Sequence, residues 1–452
     1  MSIDAVRSAA AGGTVLAYAV LCAAIWWRER RRHAATATAA SALAGNGAAP
    51  ALVLFATQTG QAETLAWQTA SGLHADGTPV RVLALNALDA DTLRAAPRAL
   101  FIASTYGEGD APDGASLFVE KLMAQAQALP ALRYAVLALG DRQYQNFCGF
   151  GRQLDEWLRA SGAMREFERI DVDNADPSAL AQWQRQLGIG DGAVAKVDEP
   201  PFAPWQLARR ELINPGSVGA EIHRLVLTPP AGATADWQSG DLVQIEAPGD
   251  PARPREYSIA SIVGDGAVEL LVRQELHPDG RLGVASGWLT TTLSHGGSVS
   301  LRIKPHANFR LGDNANRPLL LIGNGTGLAG LRSHLRARAA AGQGDNWLLF
   351  GERNAAHDWL CRDEIAAWRS AGLLRRVDMV FSRDQPERLY VQHRLLQAAD
   401  EVAGWIDRGA AIYVCGSLQG MASGVDAALR QIAGPQRFAA LVAAGRYRRD
   451  VY

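Results

Sequence analysis

The sequence predicts an α/β multidomain chain: a parallel sheet, then an antiparallel β-barrel, then a second parallel sheet, with one transmembrane helix ahead of them. Three observations lead there. Two glycine-punctuated turns, Thr57 to Glu63 and Gly323 to Gly330, each follow an apolar run and open a helical pattern. Between them, long apolar runs give way to short alternating ones separated by Pro and Gly turns. At 452 residues the chain is also too long for one ordinary core.

The uncharged stretch Ala9 to Trp27 is long enough to cross a bilayer as a helix. Arg28, Arg30, Arg31 and Arg32 follow it, whereas Arg7 alone supplies positive charge before it. The positive-inside rule then predicts a single-pass anchor in the inner membrane, residues 1–32, with the remaining domains in the cytoplasm. Residues 33–50, rich in Ala, Thr and Gly, read as a flexible linker.

A net charge of −1 argues against a nucleic-acid partner. Residues 51–190 are locally acidic, with 16 acidic side chains against 11 basic ones. That lobe suits a basic docking partner, and equally a plain solvated surface. Cys22, Cys148, Cys361 and Cys415 are scattered and the nine histidines lack ligand spacing, so no metal site is predicted.

In the first lobe, residues 51–190, the strand Ala51 to Ala56 runs into Thr57, Gln58, Thr59 and Gly60, and a helix begins near Gln61 and Ala62. Hydroxyls, backbone N–H groups and a helix N-terminus there suit a phosphate dianion. No lysine is present for a triphosphate, so a monophosphate such as that of FMN fits better. Two further strands, Ala99 to Ser104 and Tyr134 to Leu139, end in loops holding Ser104, Thr105, Tyr106, Gly107, Glu108 and Gly109, and Leu139, Gly140, Asp141, Tyr144 and Phe147. Loops at the carboxyl edge of a parallel sheet are where such sheets bind ligands, and Tyr106 and Tyr144 offer faces for an isoalloxazine ring.

Taken jointly, these three segments resemble the flavodoxin-like FMN domain of the diflavin reductases, the family of NADPH-cytochrome reductase and the sulfite reductase flavoprotein. The likeness covers the whole lobe.

After a linker at 191–204, containing Pro200, Pro201 and Pro204, the second lobe at 205–312 reads as an antiparallel barrel. Arg255, Tyr257 and Ser258 lie on a strand, where an arginine can neutralise a pyrophosphate and a tyrosine can pack on a flavin; an ordinary strand ion pair is the plain alternative. Arg-x-Tyr-Ser at Arg255 and Gly-Val-Ala-Ser at Gly283 resemble the two FAD segments of the ferredoxin reductase-like module. The resemblance implies Gly283, Val284 and Ser286 near the pyrophosphate and Ser258 beside the flavin. The cytochrome and sulfite reductases insert a helical connecting domain before this strand; here only a short loop, Pro248 to Pro254, occupies that place.

The third lobe, residues 313–452, opens on Gly325, Thr326 and Gly327 at a helix whose Leu328, Leu331 and Leu335 share a face, a Rossmann-like pattern that fits a dinucleotide pyrophosphate. Glu352 ends the next strand, where an acidic residue hints at NAD through a ribose hydroxyl. Ser382, Arg383, Arg388 and Tyr390 form instead a grip for a 2′-phosphate, and their run resembles the family's adenosine-phosphate segment, with Arg388 for the usual lysine. NADPH is therefore the predicted reductant. By the same resemblance Cys415 lies beside the nicotinamide, Asp450 assists at the flavin, and Tyr452 stacks on the FAD ring.

The resemblance implies an NADPH-dependent diflavin oxidoreductase with electrons passing from NADPH to FAD to FMN and then to a haem or iron-sulfur protein docked on the acidic lobe. Ser258, Cys415, Asp450 and Tyr452 are the residues expected at the hydride path. A membrane-tethered ferric or flavin reductase using only the FAD module, and a tethered docking module without turnover, are the alternatives.

Overall fold

The computed structural model describes residues 49–189 and 200–452, apart from Gln58, Thr59, Glu108, 143–145, Ala175, Ala231 and Thr234. The span expected at residues 9–27 and most of both linkers lie outside the described residues. Among those described, no helix is long and apolar enough to cross a membrane.

The first lobe is a parallel sheet of β1 (Ala51–Ala56), β2 (Val80–Ala84), β3 (Arg98–Ser104), β4 (Arg133–Gly140), β5 (Met164–Arg165) and β6 (Ile170–Asp173). Its order is β2-β1-β3-β4-β5, with β6 also on β4. Both faces are covered, which is why β1 and β3 are almost continuously apolar. Helix α1 (Gln61–Ala75) lays Ala62, Leu65, Ala66 and Leu73 against Val53, Leu100 and Leu137. Helix α2 (Gly149–Ala160) lays Phe150, Leu154 and Leu158 against Leu52, Leu54 and Phe101 on the other face. Because the order reverses between β1 and β3, the loops after these strands part and leave a crevice at their carboxyl ends.

The second lobe is antiparallel, ordered β10-β9-β12-β7-β8-β11, from β7 (Ala203–Leu212), β8 (Ile222–Thr228), β9 (Leu242–Ala247), β10 (Asp250–Ser258), β11 (Val268–Arg273) and β12 (Ser298–Lys304). The chain beyond β10 closes the barrel: Ile259 bridges Leu270, and the Ala260 N–H donates to the Glu269 carbonyl at 2.8 Å. Leu207, Leu225, Val243, Ile245, Leu270 and Val299 fill the interior. The loop expected at Pro248 to Pro254 is instead a turn at Pro248 and Gly249 followed directly by β10. Pairing holds at Asp250 with Ala247, slips, and resumes at Arg255 with Ile245. Pro251 and Pro254 fall in the slip, and with no N–H to donate neither can continue the ladder.

The third lobe is again parallel, ordered β15-β14-β13-β16-β17, from β13 (Leu319–Asn324), β14 (Asn346–Glu352), β15 (Leu374–Phe381), β16 (Ala411–Gly416) and β17 (Tyr447–Val451). Helix α3 (Leu328–Ala340) buries Leu328, Leu331 and Leu335, as their spacing predicts, in a cluster with Phe309, Tyr413 and Cys415.

Charged contacts join the lobes. Arg332 on α3, 1% exposed, reaches the barrel at Glu269 Oε2 (2.8 Å) and the Ala260 carbonyl (2.7 Å), and reaches Glu364 at 2.6 Å. Within the second lobe, fully buried Asp241 takes two bonds from Arg310, at 2.6 and 2.7 Å, and one from the His306 N–H. The first lobe rests on the third: Arg449 on β17 pairs with Asp113, and Arg430 pairs with Glu120 at 2.9 Å.

Candidate active site

Three phosphate- or ring-sized subsites sit at the strand ends just described. In the first, Gly60 adopts a left-handed conformation (φ 98°) that an L side chain would resist, and its N–H donates to Thr57 Oγ1 at 2.8 Å. Among the described residues no side chain caps α1, which leaves its first-turn N–H groups, at Gln61 and Ala62, open to an anion. The neighbouring loop leaves Ser104 at the end of β3. Thr105 Oγ1 is buried without a partner among the described residues, an orphan that suits a polar ring edge. Tyr106 and Asp110 exchange backbone bonds at 2.9 Å across Gly107 and Gly109. The third loop leaves β4 at Leu139 and Gly140 and passes Asp141 to Phe147, whose ring lies 4.6 Å below the Arg142 guanidinium. Gln58, Thr59, Glu108 and Tyr144, expected in these loops, lie outside the described residues. The arrangement fits FMN, with Thr57 and the α1 terminus at its phosphate and the Tyr106 loop at its ring.

The second subsite lies on the barrel. Arg255 and Tyr257 alternate along β10; Arg255 contacts Asp250 at 3.3 Å, and burial pushes the Tyr257 phenol well above its usual range. Gly283 caps a single helical turn (Val284–Gly287), where the Ser286 hydroxyl accepts the Glu275 N–H at 3.1 Å and Val284 is exposed. A Cβ at Gly283 would crowd Ser286 Oγ at 2.8 Å, so the turn presents bare backbone. This suits the pyrophosphate and ring of FAD.

In the third, the Gly325, Thr326, Gly327 turn precedes the side-chain-uncapped helix α3. It lies so close to β16 that a Cβ on Gly327 would fall 2.1 Å from the Cys415 carbonyl oxygen. Gly327→Ala should therefore fold poorly and lose nucleotide affinity, read by thermal melting and NADP+ titration. Ser382 is buried with its hydroxyl on the Glu352 carbonyl (3.2 Å), and the Arg383 N–H donates to the Arg353 carbonyl; Tyr390 stays exposed and Arg388 lies on the same outer rim. This fits a nucleotide carrying an extra phosphate.

Between the second and third subsites, residues far apart in sequence converge. Ser258 on β10 donates to Asp450 Oδ2 on β17 at 2.7 Å, and the Cys415 thiol on β16 approaches the same oxygen at 3.6 Å. Burial, then the Asp450 carboxylate, raise the Cys415 pKa well above the usual thiol range, so it stays a neutral thiol. Tyr452 follows on the strand, with its hydroxyl 2.9 Å from Thr326 Oγ1. Those four residues were the ones expected at a hydride path.

Sequence reasoning missed what joins the halves. The Tyr106 hydroxyl accepts the Val451 N–H at 2.7 Å, and Asn308 Nδ2 donates to the Thr57 carbonyl at 3.0 Å. The first-lobe loop thus touches the strand that carries Asp450 and Tyr452. No local signal marked Asn308 or Asp113; the Arg448-Arg449 pair before Asp450 was the one hint available.

A flavodoxin-type lobe fused to a flavin and nucleotide reductase module defines a diflavin reductase. Residues 53–186 match the family described as Flavodoxin, and residues 321–427 the Oxidoreductase NAD-binding domain. The chain is 30% identical to the sulfite reductase [NADPH] flavoprotein alpha-component of Vibrio cholerae serotype O1, over 88% of this chain and 87% of that protein. The proteins of the same name from Vibrio vulnificus and Neisseria meningitidis serogroup C are each 28% identical, over 92% and 91% of this chain. The first alignment spans 534 positions, more than the 452 residues of the whole chain, so the relative carries residues without counterparts here.

The chain belongs to the sulfite reductase flavoprotein alpha-component family. It is an NADPH-dependent diflavin oxidoreductase whose cofactors are FMN, FAD and NADPH.

Proposed function

We propose that this chain draws hydride from NADPH at the Ser258, Asp450 and Cys415 cluster and delivers single electrons, through its FMN lobe, to a haem or iron-sulfur protein at the inner membrane. When bound, the flavins supply the conversion of a two-electron donor into one-electron steps. The residues of the chain place and insulate. Asp450 holds a carboxylate where positive charge develops on the nicotinamide, and Ser258 fixes its orientation through the 2.7 Å bond. Cys415 fills the pocket wall as an uncharged thiol. Tyr452, 55% exposed and held through Thr326, is the residue that would cover the FAD ring and move aside for nicotinamide.

The observation that carries the reading is the Tyr106 to Val451 bond: the loop proposed to stack on FMN touches the strand of the hydride cluster. The excess of acidic residues on the first lobe favours a basic acceptor surface, and the name of the relatives points to a sulfite-reducing partner. The proposed anchor at residues 9–27 would keep the exchange beside the bilayer.

The test is flavin content and acceptor choice. Denatured protein should release FMN and FAD in equal amounts, and protein stripped of FMN should lose NADPH-driven cytochrome c reduction while keeping ferricyanide reduction. FAD alone, with full activity, would leave a single-flavin reductase. Asp113→Asn, which removes one partner of the largely buried Arg449 pair, should slow cytochrome c reduction about tenfold and spare ferricyanide reduction, since such a pair couples by about 1.5 kcal/mol or more.

A further inference from the structure

One carboxyl at the nucleotide site takes no part in the scheme above. Glu352 ends β14, beside the strand that leads into the Gly325 turn; its neighbour Gly351 pairs with Asn324. Its side chain is 6% exposed, and Oε1 is buried without a hydrogen-bond partner. The nearest cation is Arg273, the last residue of β11 in the barrel, with Nη2 4.0 Å from Oε1. That separation gives attraction but no hydrogen bond to offset desolvation.

Arg273 itself leans on the turn. A Cβ placed on Gly325 would lie 2.3 Å from Arg273 Nη2, so the guanidinium covers the backbone that faces an incoming pyrophosphate. Its side chain is 45% exposed and is able to reach that ligand. Arg273 therefore has two claimants, a buried carboxylate behind it and a phosphate in front.

We propose that Glu352 couples dinucleotide binding to proton uptake: as the pyrophosphate engages Arg273, the Glu352 carboxylate loses its counter-charge and takes a proton from solvent. No covalent bond changes. The inference rests on the nucleotide reading of the Gly325 turn.

The surroundings poise the group near neutrality. Burial raises its pKa to about 7, opposed by Arg273 and Arg353 and assisted by Asp358. The strand neighbours, Asn324 at the end of β13 and Phe381 on β15, bring no charge. For a carboxyl raised this far, the protonated form dominates below neutrality and is lost above it. A ligand that favours the protonated form must then bind more weakly as pH rises through 7, by up to about tenfold per unit.

Calorimetry on the full flavin-loaded chain tests this, with NADP+ and 2′-AMP as probes in buffers of different ionisation enthalpy. The 2′-phosphate titrates in both probes, but the pyrophosphate belongs to NADP+ alone. At pH 7.5, NADP+ should take up roughly half a proton more than 2′-AMP. In Glu352→Gln that excess should vanish, and NADP+ affinity at pH 8.5 should rise roughly threefold to tenfold. The probe comparison on unaltered protein stands even where the variant folds poorly. Equal uptake by the two probes, or an excess that survives Glu352→Gln, overturns the inference while leaving the nucleotide site intact; absence of NADP+ binding overturns both.

Discussion

Replacing Asp450 by alanine is expected to slow NADPH oxidation about a hundredfold, the scale of losing one preorganised group at a centre where charge develops. Its carboxylate holds a hydroxyl at 2.7 Å and a thiol at 3.6 Å in a largely dry pocket. A fixed negative charge there costs no reorganisation when the nicotinamide becomes cationic. The measurement is single-turnover bleaching of flavin absorbance by NADPH. Ser258→Ala should cost less, about tenfold, because the carboxylate remains and only its orientation loosens. The two losses should not add, since the groups share a bond. A rate within threefold of the parent for Asp450→Ala would remove this residue from the hydride path.

Arg332→Ala should destabilise the chain by about 3 kcal/mol, the low end of the range for breaking a buried ion pair. The low end applies because Glu269 keeps Arg224 at 2.7 Å and Glu364 keeps Arg336 at 2.8 Å. Arg336 also ties α3 to the barrel, through Asp265 at 2.7 Å, but Arg332 adds the buried link to the closing edge, where it holds the Ala260 carbonyl. Guanidinium denaturation should show the midpoint falling and the transition broadening as the second and third lobes part company. Arg332→Met should recover part of the loss by filling the space with apolar volume.

The strand-to-helix turns were legible in the sequence because their signals are local. Glycine after an apolar run, at Gly60 and at Gly325, announces a backbone that must turn sharply into a helix. The convergence of Ser258, Cys415 and Asp450 was reached through family resemblance; no spacing brings together residues on β10, β16 and β17. Arg273 and Asn308 reach across lobe boundaries, and each looks ordinary within its own segment; Glu352 stood out only as a possible ribose contact, because nothing local shows its carboxyl buried beside a barrel arginine. The stretch at Pro248 to Pro254 misled for a physical reason: proline density signals a loop, yet a strand at the edge of the sheet tolerates missing donors.

Under the proposed relay, the bond between Tyr106 and Val451 would also limit throughput. The rim of the first lobe that would hand charge outward is pressed against the reductase half, with Asn308 and Arg449 gripping it from either side. Loading and unloading cannot then share the same instant. Beyond some concentration, adding more of the external oxidant should bring no further speed, because the lobe must first let go of its own donor.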